Sequence, residues 1–130
     1  MMAENLERLQ HAYSSSEWPT FAALTIDREL AELTLKIDES ITWLEGHFPG
    51  QPILPGVVQT HWAMEFGCKL FDPDGEFRHI DNLKFHNVVL PGIQLTLSLH
   101  FLADKDAIRF SYRNQDTVYS EGKLCFGEKQ

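Results

Sequence analysis

The stretch Gly56-Val57-Val58-Gln59-Thr60-His61-Trp62-Ala63-Met64-Glu65-Phe66-Gly67-Cys68-Lys69-Leu70 limits the fold more than any other part of the chain. Its apolar residues, Val57, Val58, Trp62, Ala63, Met64, Phe66, Cys68 and Leu70, fall on nearly every side of a helix. Such a helix is buried, wrapped by other structure. The segments around it supply the wrapping, because their apolar residues recur at every second position, the period of a strand. The pattern predicts an α+β protein in which an antiparallel sheet curls around one long central helix.

The elements follow in order. Leu6 and Leu9 stand at helical spacing in residues 5–13, and Ser14-Ser15-Ser16 ends that short helix. Residues 21–27 and 31–37 read as two strands joined by a turn at Arg28 and Glu29, the second with Leu33, Leu35 and Ile37 on one face. A segment rich in Pro and Gly precedes the helix, and Asp72-Pro73-Asp74-Gly75 stops it with turn chemistry. Residues 77–90 hold a strand, expected to be bulged. Residues 94–101, 107–113 and 117–126 complete a meander. Repeats, low-complexity tracts and linkers are absent, so residues 1–130 read as one domain with 1–18 as an N-terminal helical segment.

Charge and composition exclude several classes. At 43% hydrophobic the chain is too apolar for a disordered acidic tail, and its net charge of −8 argues against nucleic acid or an anionic membrane as the main partner. No apolar run approaches the ~20 residues of a membrane span. The start, Met1-Met2-Ala3-Glu4-Asn5-Leu6-Glu7, has no secretory pattern, so a cytoplasmic location is expected. Cys68 and Cys125 lack metal-ligand spacing and are expected to be buried thiols. His79, His86 and His100 likewise carry no metal spacing and read as strand or surface residues. No metal, nucleotide or flavin motif is present.

The chemistry concentrates in Gly46-His47-Phe48-Pro49-Gly50-Gln51-Pro52-Ile53-Leu54-Pro55-Gly56-Val57. Irregular loops of this length in a small domain are usually functional. This one carries a histidine, suited to proton transfer near neutrality, and then opens a helix with a Pro-Gly pair. A base beside free backbone N–H groups is what the formation of an enolate needs. Each such donor is worth about 3–4 kcal/mol to a developing oxyanion.

This segment resembles the active-site signature of the hotdog-fold 3-hydroxyacyl-acyl-carrier-protein dehydratases of the FabZ/FabA type. A second block, Ile80-Asp81-Asn82-Leu83-Lys84-Phe85 and then Val88-Val89-Leu90-Pro91-Gly92-Ile93-Gln94-Leu95, is similar to that family's strand and Pro-Gly turn. The likeness runs from about Leu24 to Phe126, and among branches the chain looks most like the stand-alone dehydratases of aryl-polyene-type lipid pathways. The resemblance implies a hotdog fold and loss of water from a 3-hydroxyacyl thioester to give the trans-2-enoyl thioester, without a cofactor. It implies His47 as the base and the N–H groups of Gly56 and Val57 as the receptor for the thioester carbonyl. Phe48 would flank the reacting carbons. Trp62, Met64 and Phe66 read as core, although some residues of this helix would line the acyl tunnel. The implied assembly is a dimer with two sites at the subunit interface, and higher or mixed oligomers stay open.

One position departs from the family. Fourteen residues after the loop histidine the family has Glu or Asp, and here stands His61; four further on it tends to have Gln, and here stands Glu65. Residues i and i+4 share a helix face. Three readings stay open: His61 is the general acid, Glu65 acts directly or through water, or the second catalytic group is gone. A hotdog thioesterase and a catalytically silent partner subunit are the competing functions. Carrier-protein docking would need local basic residues, for which Lys69, Arg78, Lys84 and Arg113 are candidates, with coenzyme A carriage also open. Gln59 could meet a polar group of the substrate or of a partner subunit.

Overall fold

The computed structural model describes residues 2–41 and 53–127. Helix α1 (Met2–Ala12) leads into the hairpin of β1 (Thr20–Asp27) and β2 (Leu30–Lys36). Helix α2 (Gly56–Phe71) follows, and then β3 (Glu76–Phe85), β4 (Gln94–Leu102), β5 (Ala107–Asn114) and β6 (Thr117–Gly127). The strands form one antiparallel sheet in the order β1-β2-β4-β5-β6-β3. This is the α+β hotdog architecture expected, a curved sheet laid around a long helix.

Alternation explains the packing. Leu33 and Leu35 of β2, Leu95, Leu97 and Leu99 of β4, Phe110 and Tyr112 of β5, and Leu124 of β6 are all buried in one core. Trp62, Ala63 and Phe66 of α2 fill the same core at 0% exposure. Each large apolar side chain taken out of water in this way contributes roughly 1.5–3 kcal/mol. The helix lies close to the sheet at Gly67, where a Cβ would stand 3.0 Å from Ile108 Cδ1.

Three details differ from the sequence expectation. The strand foreseen over residues 77–90 ends at Phe85, because the backbone N–H groups of His86 and Asn87 both turn to the Tyr119 carbonyl; Val89 then pairs separately with Leu54. Strand β1, read from the sequence as a plain strand, carries a register shift between Phe21 and Ala23. Helix α2 keeps one stripe uncovered within this chain: Val57 is 74% exposed, and His61 and Lys69 are also exposed.

The foreseen bulge is present in β3. Asp81 pairs with Lys123 and Lys84 with Glu121, so Asn82 and Leu83 together face the single residue Gly122. Asn82 takes the left-handed conformation, φ 55°, that the extra residue demands and that asparagine tolerates better than most side chains.

Candidate active site

The first turn of α2 is held from three directions. The Gln59 amide donates to the Leu54 carbonyl at 3.0 Å, tying the helix to the residue just before Pro55. Leu54 in turn donates its backbone N–H to the Val89 carbonyl at 2.9 Å. Tyr112, buried among the strands, donates its hydroxyl to the Gln59 backbone carbonyl at 2.7 Å. Ser120 completes the set by donating to Gln59 Oε1 at 2.7 Å. Gln59 is therefore engaged within the chain and does not reach toward a substrate or a second subunit.

At the helix tip, Pro55 is the cap residue and provides no side-chain hydrogen bond. The N–H groups of Val58 and Gln59 return to the Pro55 carbonyl. Gly56 and Val57 occupy the positions whose N–H groups have no intrahelical acceptor, and the helix dipole adds positive potential there. The Phe85 ring from the end of β3 lies against Gly56. Among the described residues the tip thus combines donors that lack an intrahelical acceptor with an aromatic ring on one side, an arrangement suited to stabilising an oxyanion.

His61 and Glu65 follow along the same helix. At ~1.5 Å of rise per residue, His61 stands about 6 Å along the axis from Val57, and Glu65 about 12 Å. His61 Nε2 and Glu65 Oε1 are 4.0 Å apart, beyond hydrogen-bond distance, with side chains 54% and 43% exposed. Each has a partner from the N-terminal segment. The Trp18 indole stacks on the His61 ring at 5.7 Å between centroids and 29° between planes. The Tyr13 hydroxyl donates to Glu65 Oε2 at 3.3 Å. Burial first, and then the Glu65 carboxylate, pushes the Tyr13 phenol up to about 12.

The other predicted residues divide as follows. His47 and Phe48 lie outside the described residues. Trp62 is core: it is 0% exposed and its indole N–H donates to the Glu17 carbonyl at 3.2 Å. Cys68 and Cys125 are free but only part-buried, Cys68 at the margin of the core; burial raises both thiols, with Glu65 adding at Cys68 and Asp81 at Cys125. Arg113 is occupied by Glu32 at 3.7 Å and by Ser98. Lys84 shares a shallow cleft with Arg109 and Lys123, a basic grouping across three adjacent strands that sequence spacing did not reveal.

The register also brings together potential ligands that sequence spacing keeps apart. His79 is paired with Cys125 across the β3–β6 ladder, and with Asp81 their ligand atoms lie within 4.8 Å of one another. Asp81 already accepts from the Cys125 thiol at 3.5 Å and faces His79 at 3.2 Å and the Lys123 ammonium at 4.0 Å. A cation there would compete with Lys123 for the same carboxylate. The group reads as a hydrogen-bonded surface network.

Comparison with known proteins bears on the fold and the family. The family model of ApeI-like proteins, described as ApeI dehydratase, matches residues 23–123. A chain of the dehydratase heterocomplex ApeI:P from Xenorhabdus doucetiae superposes with a TM-score of 0.77 at 32% identity, over 82% of this chain and 96% of that one. An uncharacterized protein from Erwinia carotovora subsp. atroseptica gives 0.71 at 35% identity, over 84% and 95%. The 3-hydroxyacyl-acyl-carrier-protein dehydratase FabZ of Novosphingobium aromaticivorans is 30% identical over 132 residues, covering 93% of this chain and 76% of the enzyme. Against two other curated FabZ relatives the chain spans about half their length, 51% and 47%. The match of a family model over most of its length shows that this chain belongs to the family of ApeI-like dehydratases.

Proposed function

We propose that the protein removes water from 3-hydroxyacyl thioesters carried on acyl carrier protein, giving trans-2-enoyl thioesters in a fatty-acid or aryl-polyene-type lipid pathway in the cytoplasm. The observation that carries this reading is the tip of α2, where first-turn N–H groups lie beside Phe85 and His61 follows one turn along. The thioester carbonyl sits against the N–H groups of Gly56 and Val57. His47 takes the α-proton, and the electron pair moves into the carbonyl as the enolate forms. The C3 hydroxyl departs as water after receiving a proton, and collapse of the enolate closes the new double bond.

His61 is the better candidate for that proton. It is the nearer of the two groups to the helix tip and the more exposed, whereas the Glu65 carboxylate already accepts a hydrogen bond from Tyr13. A second subunit completes the site. Support for that assembly comes from β3, which lies at one end of the sheet and exposes Phe77, Leu83 and Phe85. A homodimer is the first assignment. A mixed pair is the second, favoured by the likeness to a chain of the ApeI:P heterocomplex and by histidine at residue 61.

The test is a mass-spectrometric assay of 3-hydroxyacyl carriers of varied chain length. His47→Ala is expected to lower turnover about 10²–10⁴-fold, with His61→Ala close behind and Glu65→Gln much milder. A loss at residue 65 that exceeds the loss at residue 61 would move the acid role to Glu65. Activity that appears only with a second hotdog subunit would select the mixed pair. Free carrier thiol without enoyl product would replace the reading with a thioesterase, and inactivity on every carrier in both assemblies would end it.

A further inference from the structure

The turn between α1 and β1 crosses the exposed stripe of α2 at the two side chains that depart from the dehydratase pattern. Trp18 stacks on His61, and Tyr13 hydrogen-bonds Glu65. The two aromatic residues also touch each other, with ring centroids 4.5 Å apart. Tyr13 is braced edge-on against buried Phe66 at 5.1 Å, and the backbone of the same turn is pinned where the Glu17 carbonyl accepts from Trp62. A flat ring held on an imidazole restricts its rotation about χ2, which decides where each ring nitrogen points. A phenol on one carboxylate oxygen restricts Glu65 in the same way, while the other oxygen stands 4.0 Å from His61 Nε2, within ion-pair range but beyond a hydrogen bond. Both aromatics border a cleft of about 510 Å³ between α1, β1 and residues 38–41, so the turn meets solvent on one side and the stripe on the other.

We propose that Trp18 and Tyr13 are positioning residues, Trp18 aiming the His61 imidazole and Tyr13 fixing the Glu65 carboxylate beside it. The N-terminal turn is then part of the machinery that delivers the proton to the leaving hydroxyl. This rests on the dehydratase reading given above. It adds that a chain with histidine at residue 61 needs an aromatic clamp, since an imidazole on a solvent-facing stripe otherwise samples several rotamers.

The experiment has one readout that needs no activity. In protein labelled at histidine, the ring protons of His61, assigned with His61→Gln, are expected to show an upfield ring-current displacement. Trp18→Leu abolishes it and Trp18→Phe keeps part of it. In steady-state assays Trp18→Leu is expected to lower kcat about tenfold or more with KM nearly unchanged, and Trp18→Phe to restore most of it. Tyr13→Phe lowers kcat by a smaller factor. Thermal melts of all variants separate lost positioning from lost folding. An active wild type without the ring-current displacement, or a folded Trp18→Leu with wild-type kcat, overturns the clamp and leaves the dehydratase reading standing. A wild type that shows the displacement but dehydrates no carrier substrate overturns the dehydratase reading, and the clamp's catalytic role with it.

Discussion

The ring of Phe85 lies so close to Gly56 that a Cβ added at residue 56 would come within 2.6 Å of two ring carbons. A side chain at residue 56 would thus have to displace the ring, and glycine there leaves the helix tip covered on one side by an aromatic surface.

Gly56→Ala is expected to displace the Phe85 ring and lower turnover about tenfold or more, since small misplacements at a reacting centre are costly. Alanine favours a helix over glycine by ~0.5–1 kcal/mol, so the effect on melting temperature is expected to be small. The half-exposed ring can swing outward without unfolding the chain. Adding Phe85→Leu to Gly56→Ala should recover part of the activity. Kinetics and thermal melts of the two variants check both statements.

Gln59 uses its amide to hold Leu54 and receives the Ser120 hydroxyl, all in buried surroundings. Gln59→Leu strands both partners, and a loss of about 2–3 kcal/mol is expected in urea unfolding. Ser120→Ala leaves only Gln59 Oε1 without its donor and should cost about 1–2 kcal/mol. Gln59→Glu, which cannot donate to Leu54 as a carboxylate, is expected to be worse than Ser120→Ala.

Alkaline pH should report on Tyr13. Its phenol titrates at about 12 in the folded chain, against an ordinary value of 10.0. The folded state keeps a proton that the unfolded state loses, so the stability from this shift is fully present below about pH 10 and is lost as pH rises through about 12. Buried Tyr112 is raised as well and contributes in the same direction. Urea midpoints measured from about pH 9 upward should fall more gently in Tyr13→Phe than in the wild type.

Asn82 should tolerate glycine and reject β-branched residues. Its φ of 55° lies in the left-handed region, which glycine enters freely and valine avoids. Asn82→Gly is expected to change stability by a few tenths of a kcal/mol, and Asn82→Val to cost about 1–3 kcal/mol. Urea unfolding measures both.

The local pattern of the chain was enough to find the six strands and both helices: alternation marks β2 and β4 most cleanly, and α2 stands out because it is apolar on nearly every side. The α2 tip was also legible, since Pro55 and Gly56 mark a helix start by their backbone chemistry. What joins distant parts of the chain was not. Tyr13 and Glu65 are 52 positions apart and Trp18 meets His61 from the far side of a hairpin, so no spacing rule links them. Phe85 stood within a recognised block, but its role depends on a three-dimensional approach to Gly56. The internal engagement of Gln59 has no sequence signal, because its partners, Leu54 and Ser120, come from a loop end and from the last strand.

The irregularity in β3 has a consequence for which residue reaches the helix tip. Paired as a plain ladder after Asp81, the same residues would turn Lys84 inward toward Ser120 and send Phe85 out to the opposite side of the sheet. That arrangement would bring an ammonium group up to the positive end of α2 and leave a phenyl ring in water, two unfavourable changes at once. By doubling up Asn82 and Leu83 opposite Gly122, the strand resets its parity and delivers the phenyl ring instead. The apolar lid over Gly56 is therefore selected by a defect in strand pairing three residues away.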